Sequence, residues 1–306
     1  MLVVCVPTLL LDGPGRVLPA SSQTAQGLNM GGMQQVKRLY LDELHLSADS
    51  AFVTHGLCTF LVLVFGWASC CFAIDIIANN IESVRRSKIQ PSRKTDDPEL
   101  RKLAKQVVIR NWVTVLLQAV LGAPLLKAAF PSYKKETALG WSEFFIFFLC
   151  WFVSNDFLFT IFHRMFHESP FLYRLVHKEH HTWKAPFSWM SHAMSVYEMS
   201  ANGIASTFWL FIHSLVLKRE TTIELFWFIQ LVAQLIGCIE HSGYNALYPL
   251  LIINPKSFPK WLFSTTKHHD THHLKFKGNY GGYLQIWDVI MGTTIDDDDE
   301  EKKRKR

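Results

Sequence analysis

The chain has 306 residues, of which 49% are hydrophobic and 19% are charged, and its formal net charge is +5. This composition excludes intrinsic disorder, while the segregation of charged from apolar stretches argues against a soluble globular protein. The sequence has no stripe of interleaved basic and aromatic residues, so nucleic acid is not an expected partner. The six cysteines lie in apolar stretches without C-x-x-C spacing, which argues against a disulfide framework or a thiolate zinc site.

Five apolar segments are long enough to cross a bilayer as helices, given about 18–20 residues for each crossing. The first has no Asp, Glu, Lys or Arg, and the last two are joined by only four residues, so they are read as a hairpin. The segments are 51–74, 107–130, 141–162, 199–217 and 222–239. The sequence therefore predicts an all-α, polytopic membrane protein with about four to five transmembrane helices.

The same pattern divides the chain into four parts. We expect a poorly ordered N-terminal lead over residues 1–50 and a transmembrane region with a basic cytosolic loop over residues 51–140. A third, histidine-rich domain is expected over residues 141–294, and a charged cytosolic tail over residues 295–306.

The distribution of basic residues predicts the orientation in the membrane. Eight Lys and Arg lie within residues 85–105, which marks this loop as cytosolic by the positive-inside rule. Counting the spans forward from this loop places residues 163–198 and 240–306 on the same face. These two segments hold every histidine motif, so we expect a cytosolic, histidine-rich helical cap.

Twelve of the fourteen histidines fall between residues 163 and 273. They form the motifs HRMFH, HKEHH and HHDTHH, and one further histidine stands in EHSGY. Spacings of three and four residues place imidazoles on one face of a helix, and neutral imidazole binds iron, zinc or copper. So many histidines exceed what one tetrahedral ion can use, which predicts two neighbouring metal ions in an all-nitrogen shell. The preferred ligands are His163, His167, His177, His180, His181, His241, His269, His272 and His273, with His268 and His192 as weaker candidates.

Carboxylates near these motifs are candidates to orient the ligands. A ligating histidine usually donates its second N–H to a carboxylate or a carbonyl. Asp156 lies seven residues before His163 on the same helical face, and a charge inside a span is costly unless it has a partner. Asp270 adjoins a predicted ligand and is a weaker candidate for the same role.

The three histidine motifs, with EHSGY and NYGGYLQIWDVIMGT, resemble those of the fatty acid hydroxylase/sterol desaturase superfamily of membrane di-iron oxygenases. The resemblance covers about residues 141–294 and implies that they form the catalytic domain. Within it, HHTWKAPF, EHSGY and NYG are most similar to methylsterol monooxygenases. It implies two iron ions, O2 as co-substrate and a lipid or sterol substrate. It also implies electrons from NAD(P)H through cytochrome b5 and its reductase, and a multi-pass location in the endoplasmic reticulum membrane with a cytosolic catalytic face.

One element departs from the superfamily pattern. A His-Pro-x-Glu element usually follows the second histidine motif, and Glu198 matches its Glu, which makes it a further carboxylate expected near the metal. Ser195 and Val196 stand where the His and Pro are expected. His192 lies one helical turn earlier, so it either replaces the missing ligand or is a partly exposed polar residue.

The resemblance implies a monooxygenase that oxidises a ring methyl group of a sterol. The alternatives are a hydroxylase or desaturase of another sterol position, or one of a fatty acyl or sphingoid chain. A non-catalytic membrane protein that binds metal is a further alternative. Transporters place their ionisable ligands near mid-membrane, whereas these motifs lie at one face, which favours the enzyme.

Overall fold

The computed structural model describes residues 50–91, 98–131, 139–247, 259 and 261–295. Across these ranges the regular structure is helical, and their only β pairing is an isolated bridge between Lys88 and Tyr244. The predicted all-α class is therefore confirmed. The predicted lead, except residue 50, and the predicted tail, except residue 295, lie outside the described ranges.

Five long helices and two shorter ones carry the fold. Helix α1 continues a π-helical turn, Phe52–Leu57, and helix α4 runs into another, Ile212–Val216. The long helices are α1 (Cys58–Asn80), α2 (Pro98–Ala129), α3 (Trp141–Glu168), α4 (Val196–Phe211) and α5 (Ile223–Glu240). The shorter ones are α6 (Thr266–Lys275) and α7 (Ile286–Met291).

Four of these helices are long and apolar enough to cross a membrane: α1 with its π-helical turn, α2, α3 and α5. They confirm four of the five predicted spans and indicate a multi-pass membrane protein. The remaining predicted span, 199–217, is helical in α4 and the turn that follows it. Helix α4 itself has 16 residues, fewer than the roughly 20 that a bilayer core requires, and it is not one of the four.

The long helices pack through two apolar clusters. One joins α1, α2 and α5 around buried Trp67, and the other joins α3, α4 and α5 around buried Trp151. At Gly66 the Leu231 side chain of α5 packs so closely on α1 that an added Cβ would overlap Leu231 Cδ2. The outward faces expose large apolar side chains, such as Phe72 at 58% and Leu121 at 64%, as a lipid-facing surface requires.

One end of the bundle gathers the basic loop and the histidine motifs. Gln90, in the loop after α1, donates from Nε2 to Asp270 Oδ1 at 2.6 Å and to the Lys184 carbonyl at 2.9 Å. Arg110 of α2 contacts Glu179 of the second histidine motif at 2.8 Å. These contacts place the described part of the basic loop and α2 beside the second and third histidine motifs.

Candidate metal centre

The histidine motifs sit on four different pieces of secondary structure. His163 and His167 lie in the last turns of α3, which continues to Glu168 rather than ending at the predicted residue 162. Pro170 follows, and proline disfavours continued helix in the residue before it. The third motif lies on α6, where the Thr265 side chain caps the helix by accepting from the His268 N–H at 3.1 Å.

The second motif is not on a regular α-helix, although its spacing predicts one. His177 closes a π-helical turn, Tyr173–His177, and His180 and His181 lie in a 3-10 turn, His180–Thr182. Because the helical winding changes here, the side chains of His180 and His181 point in different directions. His181 faces the first motif, whereas His180 faces His241, which directly follows α5.

Tertiary packing brings nine histidines together in two groups. Within each group the candidate ligand atoms all lie within 4.8 Å of one another. The five-histidine group consists of His163, His167, His177, His181 and His272, and the four-histidine group of His180, His241, His269 and His273. These are the nine preferred histidines of the sequence analysis.

The five-histidine group has the spacing of ligands around an ion. The Nε2 atom of His181 lies 3.0 Å from His167 Nε2, 2.9 Å from His177 Nε2 and 3.0 Å from His272 Nε2. One ring nitrogen offers a single N–H or a single lone pair, so it cannot form three hydrogen bonds. Nitrogens at right angles around a metal, with bonds of about 2.1 Å, would lie about 3.0 Å apart.

The outer nitrogens of these rings show which atom is free to ligate. His163 Nδ1 lies 2.8 Å from the Tyr280 carbonyl, and His272 Nδ1 lies 2.8 Å from the Gly278 carbonyl. A carbonyl only accepts, so both rings carry their proton on Nδ1 and present an Nε2 lone pair to the centre. Converging lone pairs repel one another unless a cation lies between them, so the residues present fit a metal ion.

The four-histidine group fits a second ion. His241 Nε2 lies 3.1 Å from His180 Nε2 and 3.0 Å from His269 Nε2, while its Nδ1 donates to the Gly237 carbonyl at 2.7 Å. Both ring nitrogens of His273 are buried and have no hydrogen-bond partner in the part of the chain that the structure describes. Buried polar atoms are seldom left unsatisfied, and an ion in this group would supply the missing partner.

Burial also keeps these rings in the form that binds metal. Desolvation, reinforced by repulsion between neighbouring imidazolium charges, holds their pKa values well below the ordinary value of 6.5. This applies to His177, His180, His269, His272 and His273. The rings are therefore neutral at physiological pH, as a nitrogen ligand must be.

Glu198 and Asp156 support the candidate ligands in different ways. Glu198 Oε1 lies 2.9 Å from His177 Nδ1, a position from which a carboxylate can orient a metal-binding ring. The hydrogen bonds that the structure describes for the Asp156 carboxylate do not include one to His163. The Asp156 carboxylate accepts from the backbone N–H groups of Tyr283 at 2.5 Å and Leu284 at 3.0 Å, and from Trp287 Nε1 at 2.8 Å. It thereby anchors the loop whose carbonyls orient two ligands.

Two residues of the terminal motif have roles that their spacing did not reveal. Asp288 accepts from the backbone N–H groups of Tyr280 at 2.8 Å and Gly281 at 2.7 Å. Burial alone would raise the pKa of Asp288. Hydrogen bonds, of which the one with His268 has the largest effect, instead lower this pKa below its ordinary value. Asn279 donates to the His268 carbonyl at 3.1 Å. The NYG tripeptide, together with Gly278 before it, thus forms the loop that carries the carbonyls facing His163 and His272, and only its tertiary contacts show this.

The structure places the weaker candidates outside both groups. His192 stacks on Trp67, with ring centroids 4.9 Å apart. His268 Nε2 is engaged by Asp288 Oδ2 at 3.0 Å, so that nitrogen is not directed at a metal. Asp270 Oδ1 accepts from Gln90 Nε2 in the loop after α1.

The described geometry agrees with the comparisons with known proteins. Residues 148–293 match the family model for fatty acid hydroxylases. The chain is similar to this family over that segment, which is slightly less than half of its 306 residues. The segment contains all eleven candidate histidines, together with Asp156, Glu198 and Asp270, and the similarity indicates an oxygen-dependent oxidoreductase.

Curated relatives of this chain are named for sterol oxidation. A C-4 methylsterol oxidase of Schizosaccharomyces pombe is 28% identical over 80% of this chain and 78% of the relative. The cholesterol 25-hydroxylase of Homo sapiens is 26% identical over 72% of this chain and 76% of the relative. A cholesterol 25-hydroxylase-like protein of Danio rerio is 28% identical over 45% of this chain, and the match spans about half, 51%, of that relative. No solved structure gives a significant match.

Proposed function

We propose that this protein is a membrane di-iron oxygenase that oxidises a sterol, most similar in action to a methylsterol monooxygenase that acts on a ring methyl group. One observation carries the proposal: nine histidines, of which all but the half-buried His167 are buried, form two adjoining groups whose ring nitrogens face one another. The match to the methylsterol oxidase, which covers 80% of this chain, supports the choice of substrate.

The ligands of the two ions would be the five-histidine and the four-histidine groups. When bound, iron supplies the redox chemistry of O2, which no side chain can provide. The chain supplies neutral imidazoles, fixes their tautomers through the carbonyls of Gly278, Tyr280 and Gly237, and excludes water from the centre. A dry site with preset ligands avoids the cost of reorganising them during the reaction.

The substrate and electrons would reach this centre from different sides. A sterol would come laterally from the bilayer, because the centre lies at one end of the membrane-spanning helices. The resemblance stated above supports cytochrome b5 and its reductase as the electron carriers, fed by NAD(P)H. The names of the relatives and the position of the basic loop support a location in the endoplasmic reticulum membrane with the centre on the cytosolic face.

A second candidate function is hydroxylation of a sterol at another carbon. It is favoured by relatives named cholesterol 25-hydroxylase. Both candidates use the same metal centre, so they differ only in how the substrate is presented to it.

The test is sterol and fatty-acid mass spectrometry on microsomes under labelled O2, comparing the wild type with His272→Ala. Label in a hydroxylated or carboxylated methylsterol supports the ring-methyl oxidase, and label on a sterol side chain supports the second candidate. Label in acyl or sphingoid products contradicts the sterol assignment. A new double bond without label indicates a desaturase, and no product that depends on His272 contradicts the oxygenase.

A further inference from the structure

Helix α2 carries two adjacent polar residues in an apolar stretch. Asn111 has no solvent-exposed surface, and Arg110 precedes it. Both lie in a helix that can span a membrane, outside the segment that matches the fatty acid hydroxylase family model. A polar side chain in such a helix is costly unless its hydrogen bonds are satisfied, so the partners of these two residues define their role.

Asn111 binds the chain segment that follows the second histidine motif. Its Nδ2 donates to the carbonyl of His192 at 2.8 Å and to that of Met194 at 2.7 Å. Arg110 also donates to the Met194 carbonyl, at 2.8 Å. The two carbonyls that Asn111 binds flank Ala193, whose own carbonyl lies 3.4 Å from Nδ1 of His180.

Arg110 binds Glu179, the residue that precedes His180 in the chain. The guanidinium reaches both carboxylate oxygens of Glu179, at 2.9 and 2.8 Å. A bidentate arginine–carboxylate pair fixes direction as well as distance. The main chain before His180 and the carbonyl that faces its ring are therefore both held by neighbouring residues of α2.

The other members of the four-histidine group are held differently. His241 bonds to its own helix through Gly237, and His269 and His273 lie on α6. In the five-histidine group, His163 and His272 are oriented by the loop after α6, and His177 lies beside Glu198. Loss of the α2 contacts would therefore disturb one ligand of one group.

We propose that Arg110 and Asn111 are positioning residues for the four-histidine group, which hold His180 and so determine how tightly this group retains its metal ion. This proposal rests on the proposed function, in which each histidine group holds one ion. The family segment then depends on a membrane helix outside it for one of its two metal sites.

The test measures metal release from the purified full chain in lipid nanodiscs. The protein is loaded with Fe(II) without oxygen and challenged with an excess of a chromophoric Fe(II) chelator. Asn111→Leu keeps the side-chain volume and removes both donors, and Arg110→Lys keeps the charge and removes the bidentate fork. Gln118→Leu is the matched control, because it makes the same kind of replacement at an exposed position of α2.

We expect Asn111→Leu to release one of the two ions about 10–100-fold faster, as when an outer partner of a ligand is lost, and the other at the wild-type rate. Arg110→Lys should accelerate the same ion less, and Gln118→Leu should leave both unchanged. In a His180→Ala background, Asn111→Leu should add no further acceleration, because the residue would act through His180. The proposal would be overturned if Asn111→Leu released both ions at the wild-type rate or accelerated the release of both equally. It would also be overturned if Asn111→Leu accelerated release further in the His180→Ala background. Failure of the wild type to bind two ions would instead refute the proposed function and, with it, this inference.

Discussion

Replacing Asp156 by Asn tests how the centre is held together. The carboxylate accepts three hydrogen bonds from Tyr283, Leu284 and Trp287 with its two oxygens. Asparagine has nearly the same shape but offers one oxygen and one NH2 group. Its best orientation keeps Leu284 and Trp287 bonded and turns the NH2 group toward the Tyr283 N–H, where two donors then face each other.

The size of the effect follows from these contacts. Losing a hydrogen bond to a charged acceptor costs about 1.5–3 kcal/mol, and the two remaining bonds weaken because their acceptor is now neutral. This energy anchors the loop that presents the carbonyls of Gly278 and Tyr280 to His272 and His163. Loss of such outer support usually lowers metal affinity about 10–100-fold, or about 1.4–2.8 kcal/mol. We therefore expect a weakened five-histidine site in a folded protein.

The assay is competition for Fe(II) between the purified protein and a chromophoric chelator, without oxygen. Asp75→Asn is the matched control, because Asp75 is also an aspartate of a membrane-spanning helix and also accepts from a tryptophan, Trp189 Nε1, at 2.7 Å. Only Asp156→Asn should lower the affinity for one ion. The reasoning would be refuted if Asp156→Asn bound both ions with wild-type affinity, or if Asp75→Asn weakened binding equally.

Three further outcomes are expected. His272→Ala should reduce labelled product to background and weaken binding of one ion, and wild-type turnover by this variant, measured in microsomes, would contradict the assignment. In metal-free protein, burial lowers the pKa of His241 to about 4, against about 6.5 when unfolded. The unfolded state therefore takes up the proton first, so the free energy of unfolding should fall by roughly 1.4 kcal/mol per pH unit for this residue between about pH 6.5 and 4. A melting temperature that does not fall over this range in thermal-shift measurements would argue against this. Ser195→His should lower stability by about 1 kcal/mol, because Ser195 caps α4 by accepting from the Glu198 N–H at 3.1 Å. A rise in iron content in that variant would show that residue 195 can supply a ligand after all.

The sequence predicted which histidines come together, but not how they divide into two groups. Spacing of three or four residues identified eight of the nine histidines, because such periodicity places rings on one helical face. The ninth, His241, was identified in the EHSGY motif that follows the last predicted span. Spacing could not show that His269 and His273 belong to one group and His272 to the other. That division depends on which elements pack on each side of α6, and contacts between distant segments leave no local pattern.

The carboxylates and the weaker histidines show the same limit. Asp156 drew attention because an ionisable residue inside a span needs a partner, but its partners lie more than 120 residues away. His192 lies one turn from the position of a family ligand, yet its ring stacks on Trp67. Its orientation depends on the packing of α1, which no spacing within residues 192–198 could indicate.

The sequence by itself determined the helical class, four of the candidate membrane spans and which nine histidines gather. The length of an apolar segment, the distribution of charges and helical periodicity are properties of consecutive residues, so the sequence alone shows them. Only the tertiary structure decided the grouping of the ligands, the loop that fixes their tautomers and the reach of α2 to His180. The loop and the α2 contacts act through backbone carbonyls, which every residue has. The identity of a residue therefore does not show which side chain its carbonyl will bind, because that depends on the fold.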